Sequence, residues 1–299
     1  MPARAVKDLP QNRISIVTPS FNQAGFIEQT INSVLGQNYQ NIEYVIVDGG
    51  STDNSVEIIR KYESRLYSWS SRQDNGQYDA INQGFQKTGG DIMAWLNSDD
   101  LYLPWTFRAV NDIFREFPQI EWLTTAFQLI VDQEGDAIKM LHVYGFTGKG
   151  FMSGENLPGL GWPATSFIQQ ESTFWRRSLW ERAGGYVDSR LSLAGDFELW
   201  SRFIKLAPLY AVDIPLACFR RHDDQKTSQS MGHYLEEAGR IFSGMGGKKP
   251  IPSVQAVRLK IRSSMPMVLK GLAVKCGMIE PAYLVTHDLR DNGWRVLCV

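Results

Sequence analysis

The sequence predicts an α/β protein with a mostly parallel central sheet, followed by a helical carboxyl-terminal extension. From residue 14 to residue 96, short apolar runs of strand length alternate with stretches of helical periodicity. This alternation is typical of right-handed βαβ units. Each strand-like run also ends in a polar cluster, and the carboxyl ends of the strands are where an open α/β sheet binds its ligands.

The elements of the first half follow from periodicity and from the residues that interrupt it. Strands are predicted at 14–17, 42–47, 66–70 and 92–96, and helices at 26–35, 56–62, 78–88 and 105–117. Gly36 ends the first helix, and Pro19 ends regular pairing of the first strand. The third strand is the weakest of the four because its apolar content is low.

The second half is predicted to be less regular. Strands at 121–131 and 138–143 would form an antiparallel hairpin on the sheet, followed by a glycine-rich loop at 145–167. Helices at 178–183 and 196–206 and a strand at 210–219 come next, and 231–299 is predicted to be mostly helical. The chain would thus divide into a tail (1–12), one large domain (13–230) and a helical extension (231–299).

Composition excludes several classes of protein. The net charge is −1, which gives no nucleic-acid-binding footprint. The three cysteines (Cys218, Cys276 and Cys298) are too far apart for a zinc site or a disulfide framework. The first residues have no apolar signal core, and no apolar run is long enough to span a membrane. We therefore expect a cytoplasmic protein.

One segment carries a strong charge bias. No Asp or Glu occurs from Ala238 to Ile279, whereas the same stretch holds eight Lys and Arg residues. A basic amphipathic segment of this kind would bind anionic lipid at the inner membrane. A solvated helical face or a homodimer contact is the alternative.

The polar cluster after the fourth strand is the main candidate for chemistry. Asn97, Ser98, Asp99 and Asp100 follow a buried apolar run, and their oxygen atoms suit a hard divalent cation that would hold phosphate groups. A helix cap or a local turn is the simpler interpretation. The first strand lacks the Gly-x-Gly-x-x-Gly turn of dinucleotide-binding proteins and a phosphate-binding P-loop, so binding of phosphate through a cation fits better.

Eight short motifs occur in a characteristic order. They are Thr18-Pro-Ser-Phe-Asn22, Val47-Asp-Gly-Gly-Ser-Thr-Asp53, Gly89-Gly-Asp91, Leu96-Asn-Ser-Asp-Asp-Leu-Tyr-Leu-Pro104, Gln170-Glu-Ser-Thr-Phe-Trp-Arg-Arg177, Gly184-Gly-Tyr186, Gly195-Asp-Phe-Glu-Leu-Trp200 and Phe219-Arg-Arg-His222. Over about residues 13–225 this set resembles the family-2 glycosyltransferases of bacterial polysaccharide synthesis. The resemblance implies the GT-A fold, a nucleotide-sugar donor and Mg²⁺ or Mn²⁺.

The resemblance also implies donor-binding roles for particular residues. Thr18, Pro19 and Phe21 would line the pocket for the base, and Asp48 would accept a hydrogen bond from a pyrimidine ring. Asp79, Asn97, Ser98 and Asp100 would contact the nucleotide or its sugar, and Asp91 would reach the same pocket. The alternatives are a helix-start acid at Asp48, a solvated helix acid at Asp79 and a turn residue at Asp91. Asn97 stands where the family often has Asp, which lowers the charge offered to a cation.

The remaining roles concern the metal, the proton and the acceptor. Asp99 and His222 would bind the metal, and Asp196 would be the base that takes the acceptor's proton, with an N-cap as its alternative. Gln170, Glu171 and Trp162 are weak candidates for contact with the acceptor. Arg220 and Arg221 would hold the diphosphate or lie at a solvated edge. Trp175 would stack on a sugar or pack in the core.

The predicted function is inverting, metal-dependent hexosyl transfer from a UDP- or dTDP-type sugar to a glycan or lipid-linked acceptor, in the cytoplasm or at its membrane face. The first alternative is a non-catalytic nucleotide-sugar-binding module, suggested by Asn97. The second is a sugar nucleotidyltransferase, which should carry a glycine-rich basic loop after its first strand. Residues 14–25 contain one glycine and no Lys or Arg, which argues against it.

Overall fold

The structure is a computed structural model of the 299-residue chain. It describes residues 11–143, 145–157, 167–223, 225, 229–247, 274–276 and 280–298. Two β-sheets and eight α-helices organise these residues, and the predicted α/β class with a large, mostly parallel sheet is confirmed.

The larger sheet contains nine strands. They are β1 (Ile14–Ser20), β2 (Ile42–Asp48), β3 (Ser68–Ser71), β4 (Ile92–Trp95), β6 (Trp122–Thr125), β9 (Phe174–Arg176), β10 (Tyr210–Val212), β12 (Tyr283–Asp288) and β13 (Gly293–Cys298). Their order in the sheet is β13-β12-β10-β6-β9-β4-β1-β2-β3. The four neighbours β4, β1, β2 and β3 pair parallel, whereas β9 pairs antiparallel with β4. The smaller sheet contains β5 (Leu101–Tyr102), β11 (Ala217–Arg220), β7 (Phe127–Val131) and β8 (Ala137–His142), in that order.

The helices alternate with the early strands as predicted. They are α1 (Ile27–Leu35), α2 (Ser55–Lys61), α3 (Gln77–Gln86), α4 (Thr106–Glu116), α5 (Gly148–Met152), α6 (Arg177–Arg182), α7 (Gly195–Phe203) and α8 (Met231–Gly244). Helix α3 packs closely on β1, since a Cβ added at Gly84 would lie 2.4 Å from a methyl carbon of Val17. This contact brings the start of α3 close to the carboxyl end of the parallel strands.

Two strands that the sequence predicts as continuous are each divided between the sheets. The run 121–131 forms β6 in the larger sheet and β7 in the smaller, and the run 210–219 forms β10 and β11 in the same way. The division occurs where Thr125 donates its hydroxyl to the Ile214 carbonyl, next to Pro215, which has no N–H for a ladder. The hairpin β7–β8 consequently lies in the smaller sheet and not on the central one.

The carboxyl-terminal extension is not mostly helical in its described part. After helix α8, strands β12 and β13 form an antiparallel hairpin, and β12 pairs with β10 at the end of the larger sheet. The turn contains Asn292-Gly293 with Asn292 in the left-handed region at φ 50°, a sequence that favours hairpin turns. The expected helix over this stretch is therefore wrong. Where the large domain ends remains a prediction.

The core between the sheets and helices is rich in tryptophan. Trp95, Trp122, Trp175 and Trp200 are at most 1% exposed and pack against one another, with Trp95 and Trp200 stacked at 5.9 Å. Trp175 thus has the core role that the sequence left open, and it is unable to stack on a sugar. Among the residues described, no helix has both the length and the apolar character needed to cross a bilayer.

Candidate active site

The loops after β1 and β2 are joined by side chains of their own motifs. Asn22 donates its N–H to Ser51 Oγ at 2.8 Å and accepts the Thr52 N–H on its amide oxygen at 2.9 Å. Asp53 accepts the N–H of Ala24 at 2.9 Å. Asn22 takes a positive φ of 52°, which Asn tolerates better than most residues. Several polar residues of these two motifs therefore build the rim of the site.

Asp48, the candidate for contact with the base, is buried among internal donors. Its carboxylate accepts the N–H groups of Gly50 and Ser51 at 3.1 and 2.9 Å, and it accepts the Ser51 and Ser71 hydroxyls at 2.5 and 2.7 Å. Thr18 is also buried, and its Oγ1 lies 3.2 Å from the Tyr44 hydroxyl. Phe21, in contrast, is 52% exposed at the same edge. Of these three residues, Phe21 has the surface to meet a ligand directly.

The polar cluster after β4 forms hydrogen bonds with several other elements of the fold. Asn97 accepts the side-chain N–H of Gln77 at 2.8 Å and donates to Asp100 and to Gln170, both at 3.2 Å. Ser98 is buried, and its carbonyl accepts the hydroxyl of Thr30 at 2.9 Å. The motif is thus fixed by contacts with α1, α3 and the segment before β9. This arrangement is more than a local turn.

Asp99 and His222 lie side by side although they are distant in sequence. The Asp99 Oδ2 and His222 Nε2 atoms are 3.0 Å apart. The imidazole packs at 4.4 Å against the Phe26 ring, and its Nδ1 atom is buried without a hydrogen-bond partner among the described residues. The two predicted metal ligands are therefore together. Nowhere in the described ranges do three or more His, Cys, Asp or Glu side chains form a cluster that could hold a metal ion.

Asp100 differs from Asp99 in its surroundings. It is 1% exposed, and its two carboxylate oxygens accept the Arg220 N–H at 2.9 Å and the Asn97 amide at 3.2 Å. Burial, followed by the nearby negative charges of Asp99 and Glu171, raises the pKa of Asp100 well above its usual range. Asp100 is thus built into the protein interior, whereas Asp99 keeps one face open.

Arg220 contacts the backbone of Asp99 from inside the protein. Its side chain is fully buried and donates to the Asp99 carbonyl at 2.6 Å, to the Gln29 side chain at 2.8 Å and to the Gln133 carbonyl. The guanidinium also lies 5.3 Å from the centre of the Phe26 ring. The expectation that Arg220 holds the diphosphate is therefore wrong, since its donors face inward. Arg221 is exposed and fits the solvated edge that the sequence allowed.

Asp196 lies in the first turn of α7. Its Oδ1 accepts the N–H of Phe197 at 2.7 Å. Burial raises the pKa of Asp196 from 3.8 to about 6, and the backbone hydrogen bonds only partly oppose this shift. A carboxyl group with this pKa is mostly ionised at neutral pH and is able to accept a proton.

The residue before Asp196 is glycine for a steric reason. A Cβ at Gly195 would lie 2.6 Å from the Tyr78 ring. The Tyr78 hydroxyl donates to the Leu193 carbonyl at 2.6 Å and accepts the Gly195 N–H at 2.9 Å. The absence of a side chain at Gly195 therefore allows α3 to hold the start of α7.

Gln170 and Glu171 lie in a short 3-10 helix just before β9. Gln170 donates a hydrogen bond to the Trp95 carbonyl at 2.8 Å and accepts one from the Asn97 side-chain amide. It therefore belongs to the same hydrogen-bond network as Asn97. Glu171 is 3% exposed, and its Oε1 atom has no hydrogen-bond partner among the described residues. Burial raises the pKa of Glu171 to about 8, with smaller contributions from the charges of Asp196 and Asp99. Glu171 is therefore close to both, and it is largely protonated at neutral pH.

The remaining predicted site residues have no described contact with Asp99, His222 or Asp196. Asp79 accepts from the backbone and side chain of Asn75 and from Gln83, at the edge of a cavity of about 460 Å³. Asp91 lies at the amino end of β4, where it accepts the Arg13 N–H at 3.1 Å, so its predicted contact with the pocket is wrong. Trp162 lies outside the described residues. Pro19 is buried at the end of β1.

Comparison with known proteins agrees with this arrangement. Residues 15–135 match the family model described as "Glycosyl transferase family 2". The chain carries a family-2 glycosyltransferase domain. An uncharacterised glycosyltransferase of Rickettsia typhi is 26% identical over 231 residues, which cover 77% of this chain and 70% of the relative.

Solved structures resemble this glycosyltransferase in fold. TarS of S. aureus, in complex with UDP-GlcNAc, aligns with a TM-score of 0.60 at 16% identity, covering 78% of this chain and 66% of TarS. The mannosyltransferase PcManGT from Pyrobaculum calidifontis, in complex with GDP-Man and Mn²⁺, aligns with a TM-score of 0.54 at 16% identity. It is covered to 80%, and this chain to 90%. Together with the sheet topology, these alignments confirm the GT-A fold.

Two residues that contact the loop before Asp196 are not predicted from the sequence. Tyr78 was assigned only to the start of a helix, and Glu237, described below, lies in the extension. Neither has a local sequence signal, because each acts on a loop far away in the chain. Gly195 is an indirect signal of Tyr78, because a glycine directly before Asp196 leaves room for a bulky neighbouring side chain.

Proposed function

We propose that the protein is an inverting, metal-dependent hexosyltransferase. It would transfer a sugar from a UDP- or dTDP-type donor to a glycan or lipid-linked acceptor in the synthesis of cell-surface polysaccharide. The observation that carries the proposal is the contact between Asp99 and His222, together with the buried Glu171, whose carboxyl group is affected by the charges of both Asp99 and Asp196. The family membership of the domain supports the same reaction type.

The chemistry of Asp99 and His222 fits a divalent cation such as Mg²⁺ or Mn²⁺. Carboxylate and imidazole atoms 3.0 Å apart can both face one ion, and the Asp99 side chain is 17% exposed. Asn97 brings no charge, and both oxygens of Asp100 are hydrogen-bonded inside the protein. When bound, the cation would neutralise negative charge on the diphosphate. The protein would supply these two side chains, and most of the remaining ligands would come from the donor.

Asp196 would take the proton from the attacking hydroxyl of the acceptor. In inverting transfer the hydroxyl attacks the anomeric carbon from the face opposite the leaving diphosphate, so a single base is sufficient. The C–O bond to the acceptor forms as the bond to the diphosphate breaks, and the proton moves to an Asp196 oxygen. A partly desolvated carboxylate with a pKa of about 6 suits this step.

Glu171 and Gln170 would contact the sugar or the acceptor. A largely neutral carboxyl group can donate one hydrogen bond and accept another, which matches a sugar hydroxyl. The buried Oε1 of Glu171 has no described partner, so a hydroxyl there would satisfy an otherwise unpaired atom. Trp162 keeps its proposed acceptor role from sequence alone.

The nucleotide would be bound by residues at the ends of β1 and β2 and on α3. Thr18, Pro19, Phe21, Asp48 and Asp79 are the proposed nucleotide contacts. Of these, Asp48 has its carboxylate occupied by four internal hydrogen bonds. A uracil or thymine base is supported by the fold likeness to TarS, whose structures include complexes with UDP and UDP-GlcNAc. The likeness to PcManGT with GDP-Man makes a guanine donor the alternative to test.

The acceptor and the site of action complete the proposal. A lipid-linked acceptor would place the enzyme in the cytoplasm at the inner face of the membrane. The segment from Ala238 to Ile279, with eight basic and no acidic residues, would then contact anionic lipid. Most of this segment lies outside the described residues, and a homodimer contact is its alternative role.

A thermal-shift screen tests the donor and the metal together. Each nucleotide sugar is added with and without Mn²⁺, because a ligand that binds only the native state raises the melting temperature with its occupancy. We expect the largest shift from one uracil or thymine nucleotide sugar, and only with the metal. A metal-independent shift, or a shift with guanine donors alone, contradicts the corresponding part of the proposal.

Turnover of the selected donor separates an enzyme from a binding module. Asp196→Asn should reduce transfer at least about a thousandfold while donor affinity stays within about threefold. Asp112→Asn, which removes the same charge from α4, is the matched control. Donor binding without turnover by the wild-type protein would support the non-catalytic alternative.

A further inference from the structure

The loop before Asp196 is bound by a carboxylate from helix α8. Glu237 Oε1 accepts the Ser192 N–H at 2.8 Å, and Glu237 Oε2 accepts the Leu193 and Ala194 N–H groups, both at 2.9 Å. The side chain is 3% exposed. Three consecutive backbone donors thus converge on one buried carboxylate at the point where α7 begins.

The charge of Glu237 is stabilised where it lies. Burial alone would raise the pKa of Glu237, but the three backbone N–H groups and His233 outweigh it, and the pKa is lower than usual. The Nε2 atom of His233 lies 3.3 Å from Glu237 Oε1. Glu237 is therefore ionised at neutral pH.

Helix α3 also contacts this loop. Tyr78 binds the Leu193 carbonyl and the Gly195 N–H, as described above. Burial, followed by the charge of Asp196, raises the pKa of Tyr234 on α8 well above its usual range. Helix α8 therefore passes close to Asp196 as well as holding the loop before it.

We propose that Glu237 is a positioning residue for Asp196, so that helix α8 is a working part of the active site. This inference rests on the proposed role of Asp196 as the base. The carboxylate fixes the backbone of 192–194, and this backbone sets the direction in which α7 presents Asp196 to the acceptor. Helix α8 lies beyond the 15–135 segment that matches the family model, so this role comes from a separate part of the chain.

Glu237→Gln is the most direct perturbation. Glutamine offers one oxygen and one NH₂ group, so in either orientation at least one backbone N–H faces a donor instead of an acceptor. Glu237→Asp keeps the charge but shortens the side chain, and it serves as the milder variant. The matched control is Glu236→Gln on the same helix, where the side chain is 78% exposed and lies 4.0 Å from His233.

Three readouts distinguish positioning from general support of the fold. In Glu237→Gln we expect faster amide hydrogen exchange at Ser192, Leu193 and Ala194, and kcat reduced by about tenfold or more with donor KM within about twofold. The acid limb of the kcat profile should move to lower pH by about half a unit, because Asp196 becomes better hydrated and loses a nearby negative charge. Glu237→Asp should have an intermediate kcat.

The groups around Asp196 make this pH readout specific. Tyr78 on α3, Glu171 before β9, and Tyr234 and Glu237 on α8 are the titratable side chains that interact with Asp196 or its loop. Only Glu237 is changed in the test. If Glu237→Gln and Glu236→Gln have the same kcat, exchange pattern and acid limb, the proposal is overturned. It is also overturned if activity falls only in proportion to a loss of folded protein.

The outcome is separable from that of the proposed function. If the wild-type protein transfers no sugar from any donor tested, the proposed function fails, and the positioning of a base fails with it. Hydrogen exchange needs no substrate, so it would still report whether Glu237 holds the loop. Normal transfer by the wild type with an unchanged Glu237→Gln variant would instead overturn the inference alone.

Discussion

The partly buried Asp196 carboxylate should destabilise the folded protein at neutral pH, and this loss of unfolding free energy can be measured. Burial raises its pKa from 3.8 to about 6, which means that the folded state disfavours the ionised form. A shift of two pKa units corresponds to roughly 3 kcal/mol, and partial exposure of the residue reduces this to about 1–2 kcal/mol. Asp196→Asn removes the charge and keeps an oxygen for the Phe197 N–H. The variant should therefore be more stable at neutral pH while it loses turnover.

The pH dependence of this gain gives a sharper test. The folded pKa is raised, so the penalty is absent below pH 3.8, grows as the pH rises from 3.8 to about 6, and is constant above that. The difference in unfolding free energy between Asp196→Asn and wild type should follow this curve in chemical denaturation. Asp112→Asn should change stability by less than about 0.5 kcal/mol at any of these pH values.

The pH dependence of kcat in the wild-type protein should report the ionisation of the same carboxyl group. If Asp196 is the base, kcat falls as the pH drops through about 6, and one unit below the pKa roughly a tenth of the activity remains. A variant that is less stable than wild type at pH 7.5, or a wild-type kcat that is flat between pH 5 and 7.5, would refute the reasoning about this carboxylate.

Three further predictions concern the residues around the reaction centre. His222→Ala should weaken Mn²⁺ binding by at least about tenfold in calorimetry, because it removes one of two proposed ligands; unchanged affinity would exclude imidazole ligation. Arg220→Met should lower the unfolding free energy by about 3–5 kcal/mol, since buried acceptors lose their donors, whereas the exposed Arg221→Met should change it little. Gly195→Ala should displace the Tyr78 ring and lower both the melting temperature and kcat; a fully active, equally stable variant would contradict this steric account.

The regular part of the fold could be predicted because local pattern and tertiary structure agree there. Strands β1, β2 and β4 have apolar runs bounded by Gly, Pro or polar clusters, and their predicted bounds differ from the observed ones by at most three residues. The polar clusters after them were predicted to share one edge of the sheet, and the parallel pairing of β4, β1 and β2 places them there.

The incorrect secondary-structure predictions occur where pairing between strands that are distant in sequence determines the structure. The run 121–131 has strand character throughout, so nothing local indicates that Trp122–Thr125 and Phe127–Val131 join different sheets. The carboxyl-terminal hairpin is a different case, because Asn292-Gly293 is a visible turn signal that the helical interpretation overlooked.

Within the candidate site, the proximity of distant residues is predicted better than the direction of their side chains. The meeting of Asp99 and His222 was expected, whereas the inward direction of Arg220 was not. A sequence shows that an arginine precedes a histidine, but only the fold shows that Asp99, Gln29 and Gln133 offer it buried acceptors. Charged side chains next to a site are therefore poorly assigned by sequence alone.

The contact between Asp99 and His222 spans 123 positions of the chain. Asp99 lies inside the matched segment 15–135, whereas His222 and Asp196 lie beyond it. A fragment ending at residue 135 would keep the donor-side motifs but lose one proposed metal ligand and the proposed base. Exchanging the later half between related enzymes would therefore exchange metal affinity and proton transfer together, and would not alter acceptor choice alone.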